Sequence, residues 1–334
     1  DGIRDQTRSR GLGDVFKCEV HFFIDCLRQY IDISFNRGLE MTTLRIGLAQ
    51  TPQSDNLKQN ERAIREYLDR AVDAGVQILC FPEVQTAGYR VDITAADAPV
   101  QVDELQAIHA SVAEYCGNHS MACILGTEIP LESDPCGGKP YNSALVISEV
   151  GQVLGVHHKS RLTPLDAVAY SSAPKDNPHV FELFGVIVGV TICFAGFRFA
   201  ETTEQCVRQG AKIVFHPQNN TTRPNDWKIP VHHSMQVTRA AENTIWFASC
   251  NCCLLPHQNC ATRIIAPDGQ VHAECPMKEP LLLVSDVDVD RATGAMCNFD
   301  VDGCAQMLFA DTVKPEEYAS IKADDGTSAG GGIR

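Results

Sequence analysis

The chain has 334 residues, enough for one large domain or two ordinary ones, and ample to bury a core. Its net charge of −14 excludes the basic face of a nucleic-acid binder and would repel an anionic membrane surface. The 15 cysteines are odd in number and irregularly spaced, which speaks against a secreted disulfide framework and for reduced thiols in a cytoplasmic protein. There is no apolar run long enough for a membrane span, and no apolar segment followed by a small-residue cleavage site near the start.

Residues 1–40 mix arginines, aromatics and acids without a period, and are expected to form an N-terminal extension, native or not. From Met41 a regular pattern begins. Residues 44–50 alternate like a half-buried strand. Residues 60–74 place Ala63, Ile64, Tyr67, Leu68, Ala71 and Val72 at helical spacing, with Gly75 where a helix stops. An apolar strand over 76–81 follows, ending at Pro82-Glu83. A helix near 103–117 leads into a strand over 121–126, and strands over 141–148 and 153–158 flank a turn at Gly151. Strands over 180–184 and 186–192 precede a helix near 199–209. A strand over 211–215, a helix near 231–242 and strands over 244–250, 261–266 and 281–287 complete the pattern. Alternating strands and helices define an α/β domain, here bounded at 41–295. Residues 296–334 are expected to form a C-terminal tail with a flexible glycine-rich end.

Three strand ends carry reactive side chains. Glu83 follows an apolar strand, where partial desolvation raises a carboxyl pKa and suits it to general base work; an ordinary loop glutamate is the alternative. Lys159 ends the strand Val156-His157-His158 and could donate a proton or stabilise an oxyanion, although most lysines of this kind are solvated. His157 and His158 are adjacent on a strand and point to opposite faces, which disfavours one shared metal site. Cys193 ends a β-branched run and precedes a helix, whose N-terminus would bias a thiol toward thiolate; a buried structural cysteine is the alternative.

In order, the motifs are Phe81-Pro82-Glu83, then His158-Lys159-x-x-Leu162-x-Pro164, then Val188-Gly189-x-x-Ile192-Cys193. This series resembles the nitrilase superfamily of carbon–nitrogen hydrolases. The segments Tyr141-Asn142-Ser143-Ala144, Arg239-Ala240-Ala241-Glu242-Asn243 and Pro267-Asp268-Gly269 extend the likeness over about residues 43–290. The resemblance implies a four-layer α-β-β-α sandwich, assembled as a homodimer or a larger homo-oligomer. It also implies a Glu83–Lys159–Cys193 triad that works without metal or organic cofactor. In that scheme Glu83 takes the thiol proton, Cys193 attacks carbon, and Lys159 holds the oxyanion with the N–H of Phe194. The reaction implied is thiol-dependent cleavage of a non-peptide C–N bond in a small amide or carbamoyl compound, through a thioester.

The sequence departs from the family at two places. The second glutamate that many members carry after the lysine is absent, and Asp166 is the nearest substitute. Glu128, after the 121–126 strand, is expected at the pocket rim. Phe194 and Ala195 stand where acidic residues or Trp often follow the nucleophile, which favours an amide over the nitrile that a true nitrilase would take. A non-catalytic scaffold that keeps the fold is the remaining reading. Arg198 and Arg223 could bind a substrate carboxylate. Residues 215–223 read as a polar loop whose Asn219 and Asn220 could reach substrate, and His232-His233 as a surface or interface pair. Cys250, Cys252, Cys253 and Cys260 lack paired Cys-x-x-Cys hooks and read as structural thiols rather than zinc ligands.

Overall fold

In a computed structural model, residues 42–134, 138–220 and 227–294 are described. The readings for 1–40, for Arg223 and for the tail at 296–334 lie outside them. The described residues from Thr43 onward form one unit.

The first sheet grows around β1 (Thr43–Gln50), which pairs in parallel with β2 (Ile78–Cys80) and antiparallel with β12 (Leu281–Asp288). It continues through β3 (Ala122–Ile129), β4 (Tyr141–Ile147) and β5 (Val153–His158), in the order β12-β1-β2-β3-β4-β5. The second sheet repeats the plan with β6 (Val180–Leu183), β7 (Val186–Val190), β8 (Ile213–Gln218), β9 (Trp246–Asn251), β10 (Arg263–Ile265) and β11 (Val271–Glu274), in the order β11-β10-β9-β8-β7-β6. In each sheet the middle strands are parallel: β1, β2 and β3 in one, β7, β8 and β9 in the other. Parallel neighbours need crossovers, and helices supply them. They are α1 (Leu57–Asp73), α2 (Val102–His119), α5 (Ala200–Arg208) and α6 (Lys228–Asn243), with the short α3 (Asp166–Ala169) and α4 (Phe194–Arg198) between.

Strand alternation sorts the core into layers. Ile46, Leu48, Ile124 and Val146 of the first sheet join Val188, Val190, Phe215 and Ala248 of the second in one buried cluster between the sheets. The opposite side chains of the first sheet, Leu79, Cys123, Leu125 and Leu145, pack with Ile64, Leu68, Ile108 and Val112 of α1 and α2. Cys206 of α5 and Ala240 of α6 cover the far side of the second sheet. The layers are α-β-β-α, as the sequence resemblance implies.

Local signals explain most boundaries. The Asn56 side chain accepts from Gln59 N at 3.1 Å and caps α1, and Gly75 beyond its end takes φ +68°. Among the described strands and α-helices, three escaped the sequence reading. The edge strand β11 has almost no buried side chain, and α3 and α4 are too short to show a period. The polar stretch after residue 215 is not a loop at first: β8 runs on to Gln218, wholly buried.

Candidate active site

Carboxyl ends of parallel strands are where α/β sheets gather their polar groups. Here β2 delivers Glu83, β7 delivers Cys193, and β8 delivers Asn219 and Asn220; the antiparallel β5 adds Lys159. The turn bearing Glu83 lies directly on β3. A Cβ on Gly126 would come within 1.8 Å of Pro82 O, so only glycine admits this approach. Val84, just past Glu83, holds φ +51°, a strained value for a β-branched residue.

Glu83 is fully buried. Its Oε1 accepts from Lys159 Nζ at 2.6 Å and from Asn142 Nδ2 at 2.7 Å, while its buried Oε2 has no hydrogen-bond partner. Burial pushes the carboxyl pKa up against the pull of Lys159, and Asp166 adds to the rise. Lys159 Nζ also meets Asp166 Oδ2 at 2.8 Å. Burial opposes the ammonium charge, but Glu83, Cys193 and Asp166 outweigh it and the lysine pKa is raised. Asp166 is desolvated too, yet Lys159, Tyr89 and the Thr163 N–H hold its pKa below the ordinary range. Thr163 Oγ1 returns the favour by accepting from Asp166 N at 3.0 Å, a reciprocal capping arrangement that fixes the start of α3. Lys159 is thus a cation held between two carboxylates.

Cys193 sits between β7 and α4 with φ +45° and ψ −112°. A non-glycine residue in that region is strained and persists only where surroundings over-determine it. They do so here. Cys193 N donates to Pro217 O at 2.9 Å, and Cys193 O accepts from Phe197 N at 3.0 Å and from His216 Nε2 at 2.9 Å. Gly196 lets α4 press onto His216, since a Cβ there would stand 2.7 Å from the imidazole. Arg239 binds the next carbonyls, Gly196 O at 3.0 Å and Phe197 O at 3.1 Å. The sulfur receives the Asn219 backbone N–H and Asn220 Nδ2, the latter at 3.6 Å. A helix-end thiolate is not what results. Burial, then the Glu83 charge, raise the thiol pKa above its usual value despite Lys159, so the resting sulfur is protonated.

The sulfur opens on a cavity of about 490 Å³ lined by Tyr89, Val91, Leu165, Phe194 and Phe197, with Arg198 and Lys228 as cations and Asp92 as an anion among the described residues. The sequence-derived candidates Phe194, Arg198 and Asn219 therefore line one cavity with Cys193. Glu128 does not belong to it. Rather than standing at the rim, it is buried and paired with Arg90 at 2.6 Å, because an apolar interior admits a carboxylate only with a partner. His232 is another correction: it is buried, stacks on Phe197 at 4.4 Å and lines the cavity, its pKa lowered by burial to about 4. His157 and His158 do face apart, the first fully buried and the second half-buried. Sequence reasoning gave no role to Tyr89, Asn142 or His216. All three lay in stretches that the sequence singled out, Asn142 in a family motif, Tyr89 after Glu83 and His216 in the 215–223 segment, but no local feature marked them as site residues.

A pocket with a thiol, a desolvated carboxylate and a clamped ammonium can carry out nucleophilic acyl transfer. The family model for carbon–nitrogen hydrolases matches residues 45–295, and the chain belongs to that family. Among relatives, an omega-amidase of Danio rerio is 26% identical over 63% of this chain and 74% of its own length. A chloroplastic omega-amidase of Arabidopsis thaliana is 23% identical over 63% of this chain, which spans 58% of that protein. A 2-oxoglutaramate amidase of Bacillus subtilis (strain 168) is 27% identical over 70% and 85%. The crystal structure of an amidase from Nesterenkonia sp. superposes with a TM-score of 0.62, at 23% identity over 75% of this chain and 92% of that one, which agrees in fold.

Proposed function

We propose that this protein hydrolyses the C–N bond of a small amide that carries a carboxylate at its far end. The observation behind this reading is the buried Glu83–Lys159–Asp166 cluster set against the protonated Cys193 at the floor of the cavity. Relatives named as amidases favour an amide over a nitrile.

The chemistry follows from the geometry. The free Oε2 of Glu83 takes the thiol proton as the sulfur–carbon bond forms. The carbonyl oxygen becomes an oxyanion, held by Lys159 Nζ and by the N–H of Phe194. Asp166 has no proton to offer; its charge keeps Lys159 protonated and in place. As the intermediate collapses, the C–N bond breaks and Glu83 returns the proton to the leaving nitrogen, releasing ammonia or an amine. Water then gives a proton to Glu83 and its hydroxyl to the thioester carbon. The C–S bond breaks, the acid leaves, and the thiol regains its proton. A carbamoyl compound would follow the same steps to a carbamic acid, whose remaining C–N bond then breaks to give carbon dioxide and an amine or ammonia. Arg198 and Lys228 at the cavity wall suit a substrate carboxylate. An intact set of this kind supports an enzyme over a scaffold.

The wider setting is part of the same proposal: a hydrolase domain over 41–295, in a cytoplasmic homo-oligomer. The family match supports that boundary, and ten described cysteines carry free thiols. The test is ammonia release from short amides, carbamoyl amino acids and nitriles, with Cys193→Ala in parallel. Release from amides that stops in Cys193→Ala is the expected result; turnover that persists in the variant would overturn the mechanism.

A further inference from the structure

Behind the nucleophile lies a chain of side chains whose hydrogens can all be assigned. Cys193 O can only accept, so the His216 nitrogen 2.9 Å from it, Nε2, carries the proton. His216 Nδ1 is then bare and must accept, and its neighbour at 2.8 Å is Ser249 Oγ. Ser249 therefore donates its one hydrogen to His216. Its lone pairs take Gln218 Nε2 at 2.7 Å and Gln236 Nε2 at 2.8 Å. The opposite tautomer would aim a lone pair at Cys193 O and crowd three donors onto one hydroxyl. Gln218 is thereby oriented with Oε1 toward Asn220, whose Nδ2 lies at 2.8 Å. The second hydrogen of that same Asn220 amide points to Cys193 Sγ at 3.6 Å.

The circuit closes on one residue. From Sγ it runs through Asn220, Gln218, Ser249 and His216 back to the carbonyl of Cys193. His216, Gln218 and Ser249 are fully buried, so no water competes for these bonds. Burial lowers the His216 pKa to about 3, which keeps the imidazole neutral and the direction of the circuit unchanged through the physiological range. The backbone of Asn220 is pinned as well: its N–H donates to Asn251 Oδ1 at 2.9 Å, and its carbonyl accepts from Asn259 N at 2.7 Å.

We propose that Asn220 is a further catalytic residue, whose amide stabilises the Cys193 sulfur as it gains negative charge, and that Ser249 and His216 are the positioning residues that aim it and hold the strained nucleophile turn. The proposal rests on Cys193 being the nucleophile. A 3.6 Å contact to a neutral thiol is weak, and it strengthens only when the sulfur becomes anionic. The same amide then serves twice: when Sγ loses its proton to Glu83, and when the C–S bond of the thioester breaks and the electron pair returns to sulfur.

Alkylation by iodoacetamide, itself a small amide, reports on the first of these events. The Sγ–C bond forms, iodide leaves with the C–I electrons, and the thiol proton passes to Glu83. The rate at Cys193 is followed by peptide mass over a series of reagent concentrations, giving a limiting rate and a half-saturating concentration. Asn220→Ala is expected to lower the limiting rate about ten-fold, the worth of one hydrogen bond to a charged atom, with half-saturation unchanged within about two-fold. Ser249→Ala should show a smaller fall of the same kind, and Ser249→Thr, which keeps the hydroxyl, should restore it. Should Ser249→Ala not fold, Asn220→Ala at the half-exposed cavity edge decides alone. Limiting rates in both alanine variants within about two-fold of the parent, with Cys193 labelled, would overturn this circuit and leave the nucleophile standing. No label on Cys193 in the parent protein would overturn both.

Discussion

Two buried carboxylates of the first sheet, Glu128 on β3 and Glu83 after β2, each face a buried cation, and they are completed differently. Arg90 meets both oxygens of Glu128, Nε to Oε1 at 2.6 Å and Nη2 to Oε2 at 2.9 Å. Lys159 and Asn142 both bind Oε1 of Glu83 and leave Oε2 without a partner. Burial raises both carboxyl pKa values. One pair has spent its hydrogen-bonding capacity on the fold, and it anchors the loop before α2, where Arg90 N donates to Tyr170 OH at 2.9 Å. The other keeps an acceptor free in a buried site near the Cys193 thiol. Several buried side-chain atoms among the described residues lack a partner, and on the proposed mechanism this one receives the thiol proton.

The comparison breaks most sharply at Glu83. Glu83→Gln keeps the shape and removes the base, so amide turnover should fall about 10²–10⁴-fold. The melting temperature should change little, because the raised pKa of Glu83 opposes folding at neutral pH while its charge also holds the buried Lys159 ammonium, whose own pKa is raised. A variant that loses stability and keeps its turnover would reverse the roles given to the two pairs. Arg90→Met is the converse experiment. It leaves Glu128 buried without a cation and should destabilise the protein by about 3–5 kcal/mol in urea titration, with turnover per folded molecule little changed. Adding Glu128→Leu to that variant should recover most of the loss.

Asp166 sharpens the reading of the lysine. In Asp166→Asn the pKa of Lys159 falls as a neighbouring charge is removed, so the alkaline limb of the pH–rate profile should shift to lower pH and the maximal rate drop about ten-fold. Stability gives an independent check. The folded pKa of Asp166 is depressed, so its contribution is complete above the ordinary aspartate range and is lost as pH falls through the folded value. Melting curves of Asp166→Asn should lose that part of the acid dependence. The smallest effect is expected at Arg198, exposed at the cavity wall. Arg198→Ala should raise KM several-fold for amides bearing a carboxylate, leave kcat nearly unchanged, and have no effect on amides without one.

Legibility in the sequence followed periodicity. α1 and α2 announced themselves because their apolar positions recur at helical spacing, and the central strands because they are continuously apolar. α4, of five residues, and β11, with nearly every side chain exposed, carry no such signal. Glu83, Lys159 and Cys193 stood out because each follows a buried strand in a recognisable motif. Glu128 lies within a buried strand, β3, and its place could not be read, since nothing local to it shows that Arg90, 38 residues away, reaches both of its oxygens. His216 reads as one more polar residue after a strand until β9 brings Ser249 beside it.

The sequence by itself determined the order of the longer strands and helices, the family, and the three side chains that stand at strand ends, because those depend on local pattern and short motifs. The tertiary structure alone decided their chemical states. A thiol that local sequence would make a thiolate is protonated, because the packed sandwich buries it beside a carboxylate. A lysine that local sequence would leave solvated is a fixed cation, because Glu83 and Asp166 converge on it from 76 and 7 residues away. Charge state depends on desolvation and on distant partners, and both exist only once the sheets have packed.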